Sequence, residues 1–281
     1  MSDIDSVSQI IKENFDIDEV NSIDKRKAIE TDRFGYLSVH YVVKLNHARR
    51  QLDENKHFSD LKCEVQIRTI LQHAWAAIDH KLRYKNKDEM PPKLRRQLYR
   101  ISALLETADE QFESLTEEIC KLQSQYAESV SKGVFDIPLD IESLNAYMEN
   151  SEHIKKIMDT VSNIGLTIAP HNPNCKLPEY SHVLPALHLI DIKSISDLDN
   201  VIIKISDKIN DVFSQINNSW KSNVNDPNLR LVLTRDSLLK IFLLFGIEHD
   251  KAIKLIKNSK VGEKLKVAIQ KTYRNIYNKD I

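Results

Sequence analysis

Two short segments carry side chains able to work on a phosphorylated ligand: Phe34 to Leu45, FGYLSVHYVVKL, and Leu61 to Thr69, LKCEVQIRT. In the first, Leu37, Val39, Tyr41, Val43 and Leu45 alternate with Tyr36, Ser38, His40 and Lys44. In the second, Leu61, Cys63, Val65 and Ile67 alternate with Lys62, Glu64, Gln66 and Arg68. A period of two marks a strand with one buried face. Pairing the strands over a common core predicts that their other face gathers a ring, a histidine, a glutamate, a glutamine and an arginine. A carboxylate beside phosphates serves as metal ligand or as base toward an attacking hydroxyl, and Glu64 is the candidate. Gln66 offers hydrogen bonds. Arg68 can bind phosphate bidentately, or orient Glu64 through a salt bridge. His40 lies four residues from Tyr36 on the same face, roughly 13 Å along the strand.

Other elements must position that face. Ile4, Val7, Ile10, Ile11 and Phe15 fall at helical spacing, which predicts a short amphipathic helix followed by a strand over 15–20. Asp3 and Asp5 suit the N-terminal dipole of that helix. Asn21 to Arg33 reads as a polar loop whose Lys25, Arg26 and Lys27 suit phosphates, and a solvated surface loop accounts for them equally well. Asn46 to Asp60 reads as a solvated insertion joining the two strands as a long hairpin. From Thr69 the period becomes helical. Leu71, Trp75, Ile78 and Leu82 predict the face packed on the sheet, with Gln72, Asp79 and Arg83 opposite. His73 and His80 are about 10.5 Å apart along this helix, too far to chelate one ion, so a zinc site is rejected.

The pattern G-Y-x-S-x-H at Gly35, Tyr36, Ser38 and His40, then E-V-Q-I-R-T from Glu64 to Thr69 and H-A-W-A-x-I-D-H-K from His73 to Lys81, resembles the RelA/SpoT-type synthetase domain. The resemblance implies an α/β (α+β), nucleotidyltransferase-like mixed sheet with flanking helices. It implies transfer of pyrophosphate from ATP to the 3′-hydroxyl of GDP or GTP, with Mg²⁺ as cofactor, in the cytoplasm. Tyr36 would stack on the guanine, a contact worth ~1–3 kcal/mol in nucleic-acid sites. A strand tyrosine packing across the sheet is the plainer account of it. Glu64 would be catalytic and metal-binding. His40, Gln66, Arg68, Lys25 and Lys27 would bind substrate, and His73 would edge the nucleotide pocket or pack structurally. Asp32 and Phe34 stand where the commoner version of the family has a lysine and an asparagine. Relatives carry an ATP-holding basic segment and a strand ending in a metal-binding aspartate before this point. Nothing here corresponds to that strand, so the resemblance implies a chain with one acid of the expected pair. Two alternatives follow: an inactive guanine-nucleotide-binding or assembly fragment, and a toxin-type relative acting on tRNA or adenine nucleotides.

Pro91-Pro92 opens a long helix to about Ser131, ended by Gly133. Leu94, Leu98, Ile101, Leu105, Ala108, Phe112, Leu115, Ile119, Leu122 and Tyr126 form a heptad seam over ~58 Å of helix. Such a seam needs another helix, from the C-terminal region or from a second subunit in a homo-oligomer. Val134 to Leu139 reads as a linker. Helical patterns follow at about 141–164, 195–222, 235–245 and 248–259, with a final one to about 277. The expected division is a partial synthetase domain over 1–90, the long helix over 91–133 and a helical region over 134–281. His171, Cys175 and His182 are spaced too irregularly for a metal cluster.

The composition is that of a soluble globular protein: 41% hydrophobic and 29% charged residues in a chain of 281. Forty basic against forty-one acidic residues, net charge −1, give nucleic-acid binding no support. No apolar run approaches the ~20 residues of a membrane span. Cys63, Cys120 and Cys175 lack CxxC spacing and read as buried free thiols.

Overall fold

The computed structural model describes residues 2–28, 37–83, 91–169, 179–222, 230–258 and 261–281. By compactness the chain divides into two units, residues 1–118 and 119–281. Among the described residues, no helix is long and apolar enough to cross a membrane.

In the first unit α1 (Ser2–Asn14) leads into β1 (Phe15–Ile17), β2 (Ile23–Asp24), one helical turn α2 (Lys25–Ala28) and the central strand β3 (Val39–Leu45). The connection to β4 (Cys63–Ile67) contains α3 (His47–Arg50) and a 3₁₀ helix, Asp53–Phe58. Then come α4 (Ile70–Arg83) and α5 (Pro92–Ser131), whose residues from 119 on belong to the second unit. β3 pairs antiparallel with β4, Val39 opposite Ile67 and Val43 opposite Cys63. Its other edge is shared: β1 covers Val43 to Leu45 and β2 covers Val39 and His40. Between them Asp18 N–H donates to the Val42 carbonyl at 2.8 Å, and Ser22 Oγ accepts from Val42 N–H at 2.9 Å. Thus a side chain closes the gap between two short strands and leaves no β3 amide orphaned there.

The expected hairpin and its alternation hold. Val39, Tyr41, Val43 and Ile67 are buried with Ile4 of α1, and Ile11, Phe15, Ile17 and Val65 pack around them. Each such side chain contributes ~1.5–3 kcal/mol on burial, and a one-residue slip would turn all of them outward, which fixes the register.

Several expectations change. Val7 and Ile10 of α1 are exposed, because only the Ile4–Ile11 side meets the sheet. The 21–33 loop contains β2 and α2, and the 46–60 insertion contains α3, capped by Asn46, whose side chain accepts from Arg49 N–H at 2.9 Å. On α4, Trp75 is buried as expected but Ile78 is 53% exposed. Gln72 and Asp79, expected on the open side, are half-buried. Thr69 and Gln72 explain the rotation. Thr69 N–H donates to Gln72 Oε1 at 3.0 Å and Gln72 N–H donates to Thr69 Oγ1 at 3.1 Å, a capping box that holds Gln72 inward. Thr69 Oγ1 also donates to Asp109 Oδ2 of α5 at 2.6 Å. Cys63 and Cys120 are exposed rather than buried, since β4 outruns its cover at its start and Cys120 lies on an open face of α5. Cys175 lies outside the described residues.

Half of the seam of α5 is open. Leu98 is buried and Leu105, Ala108, Leu122 and Tyr126 are half-buried, whereas Leu94, Ile101, Phe112, Leu115 and Ile119 are exposed. The helix stops as expected at Gly133, whose φ is +74°, with Gly133 N–H bonded to Val130 O and Val134 N–H to Ser129 O.

The second unit is helical, with α6 (Ile141–Asn150), α7 (Glu152–Asn163), α8 (Leu184–Leu189), α9 (Ile195–Ser206), α10 (Ile209–Ser222), α11 (Arg235–Gly246), α12 (His249–Asn258) and α13 (Glu263–Tyr277). Two expected helices are each broken in two, one at Ser151 and one at Asp207–Lys208. Ser151 adopts φ −67°, ψ 130°, ending α6 and capping α7. A parallel pair, β5 (Thr167–Ile168) with β6 (Val232–Leu233), was not foreseen. The 134–139 segment is pinned, Leu139 N–H to Lys193 O and Ile195 N–H to Ile137 O. Tyr147, Leu144, Ile154, Leu198, Ile202, Phe213 and Phe242 lie at the centre of the core.

Candidate active site

The polar face of the β3–β4 hairpin is built by register alone. His40 pairs with Gln66 and Val42 with Glu64, so His40, Glu64 and Gln66 share the face opposite the Val39–Tyr41–Val43 core. His40 Nδ1 lies 2.7 Å from Glu64 Oε1. The histidine side chain is 12% exposed and the glutamate 50%. The His40 bond, then the Gln66 side chain, hold the Glu64 carboxyl below its ordinary value, and Lys25 adds a smaller pull. The face therefore presents an ionised, accessible carboxylate oriented by two neighbours, the state required of a metal ligand or a proton acceptor.

Three further predicted residues take distinct places. Lys25 opens α2, its N–H bonded to Ser38 O, with its charge felt at Glu64. Arg68 follows β4 and is half-buried. Lys27 instead lines an open cleft of about 360 Å³ beside α1, with Lys12, Ser8 and Tyr41. His73 is exposed on α4, on the side away from Trp75. Tyr36 lies outside the described residues, as do Asp32 and Phe34. Arg26 is taken structurally: it bridges Asp24 and Asp5, each at 2.8 Å, and these partners raise its pKa.

A second carboxylate escaped the sequence reading. Asp18 joins Val42, which stands between it and Glu64, and is bound by Lys62 and by Asn21 Nδ2 at 2.9 Å. These bonds, Lys62 first, lower its pKa to about 2. Nothing in the polar run DIDEVNSID distinguishes Asp18 from its acidic neighbours; only the β1–β3 pairing does.

A mixed α/β scaffold thus carries a charged sheet face whose carboxylate, histidine and glutamine are fixed by strand register. Residues 1–89 match the family model described as a region found in RelA/SpoT proteins. That segment of the chain is thus similar to RelA/SpoT-type proteins. The chain is 31% identical over 121 residues to the GTP pyrophosphokinase YjbM of Bacillus subtilis, covering 42% of this chain and 55% of that one. It is 26% identical over 119 residues to the GTP pyrophosphokinase YwaC of the same organism, covering 42% and 53%. It thus spans about half the length of these curated relatives. Among solved structures it is similar to the small alarmone synthetase 2 of Bacillus subtilis, with 26% identity, 42% of this chain and 60% of that chain covered, and a TM-score of 0.34.

Proposed function

We propose that the His40–Glu64–Gln66 face is the acceptor side of an alarmone synthetase site, where pyrophosphate passes from ATP to the 3′-hydroxyl of GDP or GTP. The carrying observation is the 2.7 Å contact between His40 and Glu64 on the polar face of the β3–β4 hairpin. Glu64 takes the role of base or metal ligand. Gln66 and His40 orient it, while Lys25 and Arg68 offer positive charge to phosphates. Tyr36 is the stacking partner for guanine, and His73 and Lys27 are outer contacts.

Mg²⁺ fits this donor set. Glu64 is an oxygen donor, half-exposed and held ionised. Glu64 would hold the ion together with phosphate oxygens of the substrate, and the ion would then supply neutralisation of phosphate charge.

The test is calorimetry with GDP, GTP and ATP in Mg²⁺, alongside transfer of label from ATP. Binding of GDP or GTP that Glu64→Gln leaves intact, with transfer that it abolishes, is the expected result. Failure to bind any guanine nucleotide overturns the reading, and label passing instead to tRNA or an adenine nucleotide replaces its acceptor.

A further inference from the structure

Along β4 and its two flanking residues, alternation puts Lys62, Glu64, Gln66 and Arg68 on the polar face, each step of two covering ~6.6 Å. Gln66 and Arg68 lie to one side of Glu64. Lys62 lies to the other, and its ammonium pairs with the Asp18 carboxylate. Asp18 stands at the far edge of β3, where its N–H donates to the Val42 carbonyl at 2.8 Å, while β4 sets Glu64 opposite Val42 on the near edge. The lysine therefore reaches across β3, over the strand that separates Glu64 from Asp18.

Asp18 keeps its place without the lysine. Asn21 Nδ2 donates to its Oδ2 at 2.9 Å, and Ser22 Oγ donates to its carbonyl at 2.8 Å. The aspartate side chain is 18% exposed, whereas that of Lys62 remains 48% exposed. An ion pair this open contributes little to folding. Its effect is on the lysine: a fixed acid draws one long, flexible side chain into a single direction and leaves it accessible. An ammonium carries three donors, and the Asp18 bond uses one of them. Holding the stem in advance also removes rotamer freedom that a loose lysine would lose on meeting a ligand.

We infer that Lys62 is the donor-side phosphate contact of this site, with Asp18 as the residue that positions it. The ligand class is a polyphosphate chain, that of the donor nucleotide. The inference rests on the function proposed above for the sheet face. In that transfer the acceptor 3′-oxygen bonds to the β-phosphorus of ATP, the bond from that phosphorus to the α-phosphate oxygen breaks, AMP leaves with the electron pair, and the hydroxyl proton passes to Glu64 or to solvent. Attacking and leaving oxygens stand roughly in line through the phosphorus. With the acceptor held by Gln66 and Arg68 and its hydroxyl at Glu64, the donor comes from the opposite side, where Lys62 lies. There it acts as a point charge on the phosphates, in contrast to the planar fork of Arg68.

Calorimetry on the full chain in Mg²⁺ with three probes, ATP, inorganic tripolyphosphate and GDP, tests the assignment. Lys62→Met should weaken ATP and tripolyphosphate by about tenfold or more, as loss of one charged hydrogen bond implies, and leave GDP unchanged. Lys62→Arg should restore most of the affinity. Asp18→Asn should give a smaller loss on the same two probes and no further loss when added to Lys62→Met, because it acts through the lysine. In transfer assays both variants should raise KM for ATP and not that for GDP. A pair that only braces the sheet would move all three probes alike or none, and either result overturns the inference while GDP binding by the unaltered chain keeps the acceptor reading. An unaltered chain that binds GDP but neither ATP nor tripolyphosphate overturns it too. Absence of any guanine-nucleotide binding in the unaltered chain is a separate failure, that of the proposed function, and takes the inference with it.

Discussion

His40 Nδ1 and Glu64 Oε1 lie 2.7 Å apart across adjacent antiparallel strands, two residues out of direct register, because His40 itself faces Gln66. The diagonal is within reach of long side chains on one sheet face. It leaves the glutamate bound by His40 and Gln66 and still half-exposed.

The first prediction concerns that carboxylate. Its folded pKa lies below the ordinary value, so the pair is present at pH above the unfolded value and is lost as pH falls through the folded one. His40→Ala should raise the Glu64 pKa toward that of a free glutamate, and Gln66→Leu should raise it by less. Carbon-detected NMR titration of the side chain measures both. An unchanged Glu64 titration in His40→Ala would show that the contact is not made in solution.

The second concerns Asp18, held ionised down to about pH 2, chiefly by Lys62 and then by Asn21. Lys62→Ala should move its midpoint upward more than Asn21→Ala does. Because the folded pKa is depressed, the effect on folding is present above the unfolded pKa and disappears as acid carries the protein through about pH 2. NMR titration of the two variants checks the order, and a larger shift from Asn21→Ala would contradict it.

How much of this was legible follows from where each signal resides. The β3–β4 face was readable because a strand's period of two is local and its hydrophobic set admits one register. His40, Glu64 and Gln66 therefore meet as the alternation predicts. The α4 face was misjudged because apolar spacing alone ignores polar residues that bond inward, and Gln72 is half-buried through its capping box with Thr69. The strand after α1 was legible, as β1 shows, but the place of Asp18 beside Val42 and the β2 pairing were not, since they arise from partners well separated along the chain. The breaks at Ser151 and Asp207 interrupt apolar patterns that continue on both sides, so periodicity could not show them.

The third prediction tests the buried polar cluster of the second unit. Tyr147 Oη donates to Asp199 Oδ1 at 2.7 Å, and His153 Nδ1 lies 2.6 Å from the same oxygen. Burial, then the neighbouring Asp199, pushes the Tyr147 phenol far above its ordinary value, so it remains a donor throughout the usable pH range. Asp199→Ala strands that hydroxyl in a fully buried position, a cost of ~1–3 kcal/mol for the orphaned group alone. Tyr147→Phe removes the donor but leaves Asp199 its histidine, and should cost ~1–2 kcal/mol. Urea unfolding of the full chain should rank Asp199→Ala as the more damaging, and the reverse order would rule out this account of the cluster.

The fourth rests on a close approach of two helices. Gly246 ends α11, and a Cβ built there would lie 2.6 Å from Val201 Cγ1 and 2.8 Å from the Val201 carbonyl oxygen of α9. The glycine is needed for space and not for an unusual backbone angle. Intrinsic helix propensity favours alanine by up to ~1 kcal/mol, less at a helix end, which opposes the clash. The clash should win, because α9 is anchored through buried Ile195, Leu198, Ile202 and Ile205 and its carbonyl cannot rotate aside. Overpacking of this kind costs ~1–3 kcal/mol, so Gly246→Ala should be net destabilising. Adding Val201→Ala removes the methyl contact but keeps the carbonyl one, and so should recover only part of the loss when compared with Val201→Ala alone. Full recovery would assign the whole effect to the valine side chain, and a stabilised Gly246→Ala would mean that the helices separate at no cost.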